Sequence, residues 1–287
     1  MRVAVVGAGL MGSGIAQAAS QHGMTAALYD ITDEALDAAR TRIRASVERL
    51  DKAGKIAVSV DEVVAAIDCG TDLAEAVAGA DVVVEAAPEL LDLKLDLFRR
   101  LDELSPRDAL LGTNTSQFSI TRLAAATKRP ESVVGLHFFN PPPVMPLVEV
   151  IPGLLTTDET LRRALDFCAA LGKSSTVAKD VQGFVASRGN LAFALECYRM
   201  AEEGVASPED IDATFRLGFG HPMGPLELAD YVGIDTILNV TDAMFEAYGE
   251  RFRPPLALKR LVDANHTGRK TGRGFYDYSD GDRDLRG

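Results

Sequence analysis

The chain has 287 residues and a formal net charge of −12, with 47% hydrophobic and 25% charged residues. This composition is typical of a globular protein long enough for two domains or one large one, and the acidic balance argues against a nucleic-acid binder, which needs a basic face. Three widely separated cysteines, Cys69, Cys168 and Cys197, show neither metal nor disulfide spacing. The sequence therefore predicts a cytoplasmic protein with no bound metal, and its short apolar runs predict no membrane span.

The chain begins with a short β-branched run, Arg2–Val6, that enters a glycine-rich turn with the pattern G-x-G-x-x-G. A helical segment follows the turn. A second apolar run then ends in Asp30, about twenty residues after the first glycine of the pattern. In a dinucleotide-binding unit, free N–H groups at the helix start bind the pyrophosphate, and the acid accepts hydrogen bonds from the ribose. Because Asp30 would repel a 2′-phosphate, the pattern predicts NAD rather than NADP. The alternative is a glycine turn without a ligand. The residues predicted to bind NAD here are Gly7, Gly9, Leu10, Met11, Gly12 and Asp30.

A helix is predicted over residues 32–50 from the spacing of its apolar residues, and Lys52 and Lys55 follow its end. In an acidic chain, this small basic group would suit a substrate phosphate, because the global charge repels anions. The alternative is that both lysines are simply part of a solvated helix end, which is the more common situation.

Polar residues follow three predicted strands. Residues 81–87 predict a buried parallel strand, after which Glu89 comes, and residues 110–112 lead to Ser116. A third apolar run leads to His137. Because ligands of open α/β sheets bind beyond the carboxyl ends of the strands, we expect these three side chains to meet in one crevice.

The segment over residues 136–151 carries a lone histidine, His137, and a later acid, Glu149. Three consecutive prolines between them exclude a continuous helix or central strand. The simplest geometry is two extended segments joined by a rigid turn, which brings the carboxylate back to the imidazole. Such a pair fixes the tautomer of His137 and supports it as a general base. The alternative is a core histidine beside an exposed glutamate.

The alternation of strands and helices ends near Gly183 and gives way to three segments with helical spacing, residues 184–201, 208–217 and 226–248. These long apolar helices are hard to bury in a domain of this size, which predicts a homodimer formed through them. The tail after Tyr278 is polar and is predicted to be disordered.

The predicted fold class is therefore α/β, with an N-terminal Rossmann-type doubly wound sheet followed by an all-α domain. The domain boundaries are residues 1–183 for NAD binding and residues 184–287 for substrate binding and dimerisation.

Several motifs resemble the 3-hydroxyacyl-CoA dehydrogenase family, particularly its short 3-hydroxybutyryl-CoA dehydrogenases. They are GAGLMGSGIAQ, DVVVEAAPE, NTS, LHFFNPPPVMPLVEVI, GHPMGPLELADYVGID and GRKTGRGFYDY. The resemblance covers nearly the whole chain and implies the reversible oxidation of (S)-3-hydroxyacyl-CoA with NAD. Two alternatives remain: a dehydrogenase of a free hydroxy acid such as L-gulonate, and a non-catalytic NAD-binding protein.

The resemblance also implies roles for single residues. His137 would remove the proton from the 3-hydroxyl, Glu149 would orient His137, and Ser116 would hydrogen-bond the reacting oxygen. One catalytic position departs from the family, which commonly has asparagine there: this chain has Ser187, a shorter side chain with one hydroxyl. The residues that match cofactor-contacting positions are Glu89, Lys94, Ser116, Asn140 and Lys270.

Overall fold

The computed structural model describes residues 1–279, so residues 280–287, most of the tail predicted to be disordered, lie outside the described residues. The chain forms two compact units, Met1–Phe184 and a second one that begins at Val185. None of the helices in the described part has the length and apolar character needed to cross a membrane.

The first unit is built on one eight-stranded sheet. Its strands are β1 (Arg2–Val6), β2 (Thr25–Tyr29), β3 (Ile67–Gly70), β4 (Val82–Glu85), β5 (Leu110–Thr113), β6 (Val133–Phe138), β7 (Leu147–Pro152) and β8 (Ser174–Val177). They lie in the order β3-β2-β1-β4-β5-β6-β7-β8, and β1 to β6 pair in parallel. Strand β7 is antiparallel to β6 and parallel to β8, and the proline loop, residues 139–146, joins β6 to β7. Because the order reverses between β1 and β4, the sheet is doubly wound, as predicted.

Helices cover both faces of this sheet. They are α1 (Leu10–Gln21), α2 (Asp33–Lys52), α3 (Val60–Ala65), α4 (Leu73–Val77), α5 (Leu91–Leu104), α6 (Ile120–Ala124) and α7 (Asp158–Ala170). Successive strand residues point to opposite faces, so Val3 and Val5 pack with α1, α2 and α7, whereas Ala4 and Val6 pack with α4, α5 and α6. This burial on both faces explains why the parallel strands are apolar throughout.

The second unit is helical, which confirms the predicted fold class. Its helices are α8 (Ala186–Glu203), α9 (Pro208–Ala213), α10 (Pro225–Val232), α11 (Ile234–Tyr248) and α12 (Leu256–Asp263). The prediction of one helix over residues 226–248 is wrong. Gly233 between α10 and α11 has φ of 104°, a left-handed value that interrupts a right-handed helix.

Asp212 fixes the start of α10. Its buried carboxylate accepts hydrogen bonds from the backbone N–H groups of Leu226 and Glu227, both at 2.9 Å. It also accepts one from the hydroxyl of Tyr276 at 2.7 Å. The carboxylate thus satisfies two helix donors that have no partner within the helix and ties the C-terminal segment to α10.

We expect Asp212→Ala to lower the free energy of unfolding by about 3 kcal/mol, because three buried donors lose their acceptor. Urea unfolding of the full chain measures this loss. The matched control is Asp210→Ala, which removes an exposed carboxylate two residues away and should cost less than about 1 kcal/mol. Equal losses in the two variants would contradict this role of Asp212.

Candidate active site

The glycine turn joins β1 to α1 at the carboxyl end of the sheet. Gly7 has φ of 106°, and a Cβ there would lie 2.6 Å from the carbonyl oxygen of Ala86. A Cβ on Gly12 would lie 1.8 Å from the carbonyl oxygen of Gly7, so a side chain at either position would prevent this packing. At Gly9, the N-cap of α1, nothing lies within 4 Å of an added Cβ. This open space beside free helix N–H groups fits the pyrophosphate of a dinucleotide.

Asp30 lies directly after β2 and holds the glycine turn. Its carboxylate accepts hydrogen bonds from the N–H of Ala8 and from the N–H of Ile31, both at 2.7 Å. Arg42 of α2 donates to the carbonyl of Ala8 at 2.6 Å. Leu10 and Met11 form the first turn of α1. The turn is therefore held in place from β2 and α2 independently of any ligand.

A buried ion-pair network lies beyond β4. Lys94 of α5 is only 1% exposed, and its ammonium donates to the carboxylate of Glu85 at 2.7 Å and to the carbonyl of Ala87 at 3.2 Å. It also lies 3.0 Å from the carboxylate of Glu89. Glu85 is fully buried and accepts a further hydrogen bond from Thr113 at 2.6 Å. The three N–H donors of the ammonium thus have three partners, and one of these contacts holds the carboxylate of Glu89 in place.

Glu89 connects this network to the segment that follows β5. Its Oε1 accepts hydrogen bonds from the hydroxyl of Thr115 and from the N–H of Ser116, the latter at 3.0 Å. In the same segment, the side-chain oxygen of Asn114 accepts a hydrogen bond of 2.9 Å from the N–H of Phe138, the last residue of β6. Ser116 is half-buried, and no hydrogen bond within residues 1–279 engages its hydroxyl. That hydroxyl is available to a ligand.

His137 and Glu149 lie directly opposite each other on β6 and β7. Nδ1 of the imidazole lies 2.7 Å from Oε2 of the carboxylate, and the two side chains are 12% and 2% exposed. The rings of Phe139 and Phe184 lie 5.2 and 5.8 Å from the imidazole, centroid to centroid. A hydrogen bond from Nδ1–H to the carboxylate leaves Nε2 of the neutral ring as an acceptor, which a general base requires. Glu149 is buried, so the alternative of a histidine beside an exposed glutamate is wrong.

The structure places Glu89, Ser116 and His137 at one edge of the sheet, where the parallel strands β4, β5 and β6 end. The glycine turn leaves β1 at the same edge, next to β4. A dinucleotide on the turn and a reacting group at His137 would therefore share one crevice, because all these strands run in the same direction.

A cavity of about 450 Å³ lies between α1, α2 and the proline loop. Its basic side chains are Arg42, Arg49 and Lys52, and Asn140 of the loop also lines it. Lys55 lines a second cavity of about 580 Å³, together with Leu50 of α2 and with Pro143 and Val144 of the proline loop. The two lysines that were predicted as one group therefore line two cavities.

Two of the predicted residues belong to the second unit. Ser187, in the first turn of α8, lines a mostly apolar cavity of about 230 Å³. The other side chains with polar groups that line this cavity are Asn190, Tyr198, His221 and Thr236. Lys270 lies 2.6 and 2.7 Å from the two carboxylate oxygens of Asp235, so its ammonium already has an anionic partner.

Two models of one protein family match nearly the whole chain. The model of the "3-hydroxyacyl-CoA dehydrogenase, NAD binding domain" matches residues 2–181, and that of the "3-hydroxyacyl-CoA dehydrogenase, C-terminal domain" matches residues 183–278. A probable 3-hydroxybutyryl-CoA dehydrogenase of Bacillus subtilis is 41% identical, over 97% of this chain and 98% of its own. The mitochondrial hydroxyacyl-coenzyme A dehydrogenase of Sus scrofa is 42% identical, over 96% and 90%. The crystal structure of an (S)-3-hydroxybutyryl-CoA dehydrogenase from Ralstonia eutropha has a TM-score of 0.91 at 39% identity, covering 97% of this chain and 99% of that chain.

Proposed function

The chain belongs to the 3-hydroxyacyl-CoA dehydrogenase family, and we propose that it interconverts short (S)-3-hydroxyacyl-CoA thioesters, such as 3-hydroxybutyryl-CoA, with their 3-oxoacyl-CoA counterparts. It is an oxidoreductase whose cofactor is NAD. The observation that supports the chemical step best is the 2.7 Å contact between His137 Nδ1 and Glu149 Oε2 at the edge of the sheet where the glycine turn also lies.

When bound in the crevice, NAD would supply the acceptor for the hydride that leaves C3 of the substrate. In the proposed reaction, Nε2 of His137 takes the proton of the 3-hydroxyl, and the carboxylate of Glu149 stabilises the imidazolium that results. The hydroxyl of Ser116 donates a hydrogen bond to the reacting oxygen. In the reverse direction, protonated His137 returns the proton.

The cofactor residues divide into direct contacts and supports. The glycine turn, with Gly7, Gly9, Leu10, Met11 and Gly12, would hold the pyrophosphate. Asp30 would hold the ribose, and Glu89, Ser116, Asn140 and Lys270 are further proposed contacts. Lys94 differs from these because it is buried and fully hydrogen-bonded, so its proposed role is to position Glu89.

We expect Asp30→Ala to reduce the preference for NAD over NADP at least about tenfold, measured as the ratio of the two kcat/KM values. The carboxylate would no longer accept the ribose hydroxyls or repel a 2′-phosphate. Absolute rates should also fall, because the N–H of Ala8 loses its acceptor. Asp33→Ala, which removes an exposed acid in the first turn of α2, is the control and should keep the ratio. An unchanged ratio in Asp30→Ala would refute the role.

The cavity between α1, α2 and the proline loop suits the phosphates of coenzyme A. Three basic side chains line it against one acid, Glu48, and an anion bound by a chain of net charge −12 needs such local donors. Lys55, in the adjoining cavity, is the second proposed substrate lysine.

Ser187 is proposed as a further substrate residue, and the mostly apolar cavity around it supports this role. Ser187→Ala should lower kcat/KM for acetoacetyl-CoA about tenfold, the loss of roughly one hydrogen bond. Steady-state kinetics measures the effect, and Ser174→Ala, at an exposed serine of β8, is the control. No effect of Ser187→Ala would mean that the position serves neither substrate nor catalysis.

The substrate class is tested by NADH oxidation with acetoacetyl-CoA beside the same assay with free acetoacetate. We expect rapid oxidation with the thioester and little with the free acid, since only the thioester carries phosphates for the basic cavity. Turnover of free hydroxy or oxo acids alone would favour the alternative of a dehydrogenase such as one for L-gulonate. Turnover of neither, with NADH binding confirmed by calorimetry, would favour a non-catalytic NAD-binding protein.

The remaining proposal is a homodimer in the cytoplasm. All three cysteines are free thiols, which suits a reducing compartment. In the second unit, Leu217 is 82% exposed and Phe219 is 71% exposed, and a second copy of the chain would remove such apolar side chains from water. Light scattering of the purified chain would contradict the dimer if it gave the monomer mass at all concentrations.

A further inference from the structure

The proline loop connects the strand that carries His137 to the strand that carries Glu149, and it also forms one wall of the cavity proposed to bind coenzyme A. One side of the loop packs against α1. A Cβ added to Gly14 of that helix would lie 2.7 Å from Cδ of Pro142 and 3.2 Å from Cδ of Pro143. The helix and the loop are therefore in direct contact, and a small shift of the loop changes the shape of the cavity.

The other side of the loop is held by Lys173, the residue before β8. This side chain is 9% exposed, and its ammonium donates to the carbonyl of Pro142 at 2.6 Å and to that of Met145 at 2.8 Å. No carboxylate in residues 1–279 forms an ion pair with it, and burial lowers the pKa of the ammonium. The buried cation is thus stabilised by two backbone carbonyls of the loop and not by a counter-ion.

A buried ammonium without a counter-ion contributes less to stability than an apolar side chain of similar size, because the ammonium must be desolvated. The geometric effect of Lys173 is specific, since its one nitrogen fixes the positions of two carbonyls that lie three residues apart. Inside the loop, the N–H groups of Val144 and Met145 both bond to the carbonyl of Pro141, at 3.0 Å each. Lys173 completes this arrangement by satisfying the next carbonyl, that of Pro142.

The pairing of His137 with Glu149 is also supported by strand pairing that does not involve the Lys173 ammonium. The two residues are opposite each other in a ladder that continues through Leu136 and Val150 to Gly135 and Ile151, away from the loop. A change at Lys173 should therefore alter the wall of the cavity while the two side chains that transfer the proton keep their register.

We propose that Lys173 is a positioning residue that holds the proline loop in the conformation needed to bind the coenzyme A part of the substrate. This inference rests on the proposed function and names a residue for substrate affinity that does not touch the reacting atoms.

The test compares Lys173→Met with the wild type. Methionine keeps much of the apolar stem and removes the donor. We expect KM for acetoacetyl-CoA to rise about tenfold while kcat changes less than about threefold, and the Kd of coenzyme A alone, measured by calorimetry, to rise by the same factor as KM. The matched control is Lys179→Met, at an exposed lysine just after β8, which should leave all three values unchanged.

A fall in kcat with unchanged KM and an unchanged Kd for coenzyme A would mean that Lys173 only stabilises the fold, and would overturn the inference. If Lys173→Met does not fold, Lys173→Gln replaces it, because its amide can still donate to one carbonyl, and the same results support or overturn the inference. A wild type that neither reduces the thioester nor binds coenzyme A would overturn the proposed function and this inference together. A wild type that binds coenzyme A no better than the folded variant does would overturn this inference alone.

Discussion

Replacement of His137 by glutamine is expected to lower kcat with acetoacetyl-CoA by about 1,000-fold. The amide of glutamine can still donate a hydrogen bond to Glu149, but it cannot carry the proton between substrate and solvent. The side chain is partly exposed at the end of β6, so the strand keeps its place in the sheet. The Kd of NADH, measured by calorimetry, should therefore stay within about twofold of the wild type.

A double variant with Glu149 tests whether His137 is the residue that transfers the proton. Because Glu149 is proposed to act through His137, adding Glu149→Gln to His137→Gln should lower kcat no further. His266→Gln, at a partly buried histidine of the second unit, is the matched control and should keep the wild-type kcat. Joint loss of turnover and NADH binding in His137→Gln would indicate a folding role, and an unchanged kcat would exclude His137 as the base.

Replacement of Lys94 by methionine is expected to lower the free energy of unfolding by about 4 kcal/mol. The variant leaves the carboxylate of Glu85, which has no exposed surface, without its cation. It also removes the support of Glu89, so the affinity for NAD should fall as well. Urea unfolding of the full chain measures the first effect and calorimetry with NADH the second.

Two further variants separate the loss of the buried ion pair from the nonspecific effect of replacing a lysine on the free energy of unfolding. Lys128→Met removes a lysine that is 77% exposed and lies 4.0 Å from Glu103, and should cost less than about 1 kcal/mol. Adding Glu85→Gln to Lys94→Met removes the uncompensated buried charge and should recover part of the lost stability. A cost for Lys94→Met no larger than that of the exposed lysine would contradict the structural role of the network.

Much of the first unit follows from its sequence because its strands are short, apolar and buried on both faces. The strand β3 was not predicted, since Ile67–Gly70 alternates between half-buried and exposed positions and carries a charge. The interruption between α10 and α11 was also missed. Apolar spacing continues on both sides of Gly233, and the sequence alone does not show that this glycine adopts a left-handed conformation.

The site was only partly predictable. The prolines required a turn between His137 and Glu149, so their contact followed from chain geometry. The role of Glu85 was not predicted because this residue ends an apolar strand and was assigned only to that strand. A carboxylate in a buried strand, nine residues before a lysine, is the sequence feature that could have predicted a buried ion pair. Lys173 follows a helix stop and reads as a surface lysine, and only the packing of the proline loop shows that it is buried.

The most direct test of the proposed function is NAD reduction by the purified chain with (S)-3-hydroxybutyryl-CoA, beside the same assay with the (R) enantiomer. We predict formation of NADH with the (S) thioester and none with the (R) form, because only one enantiomer can present its hydroxyl to His137 and its C3 hydrogen to the cofactor at once. Absence of NADH with both enantiomers, from a chain that binds NAD, would contradict the assignment of this site as a 3-hydroxyacyl-CoA dehydrogenase centre.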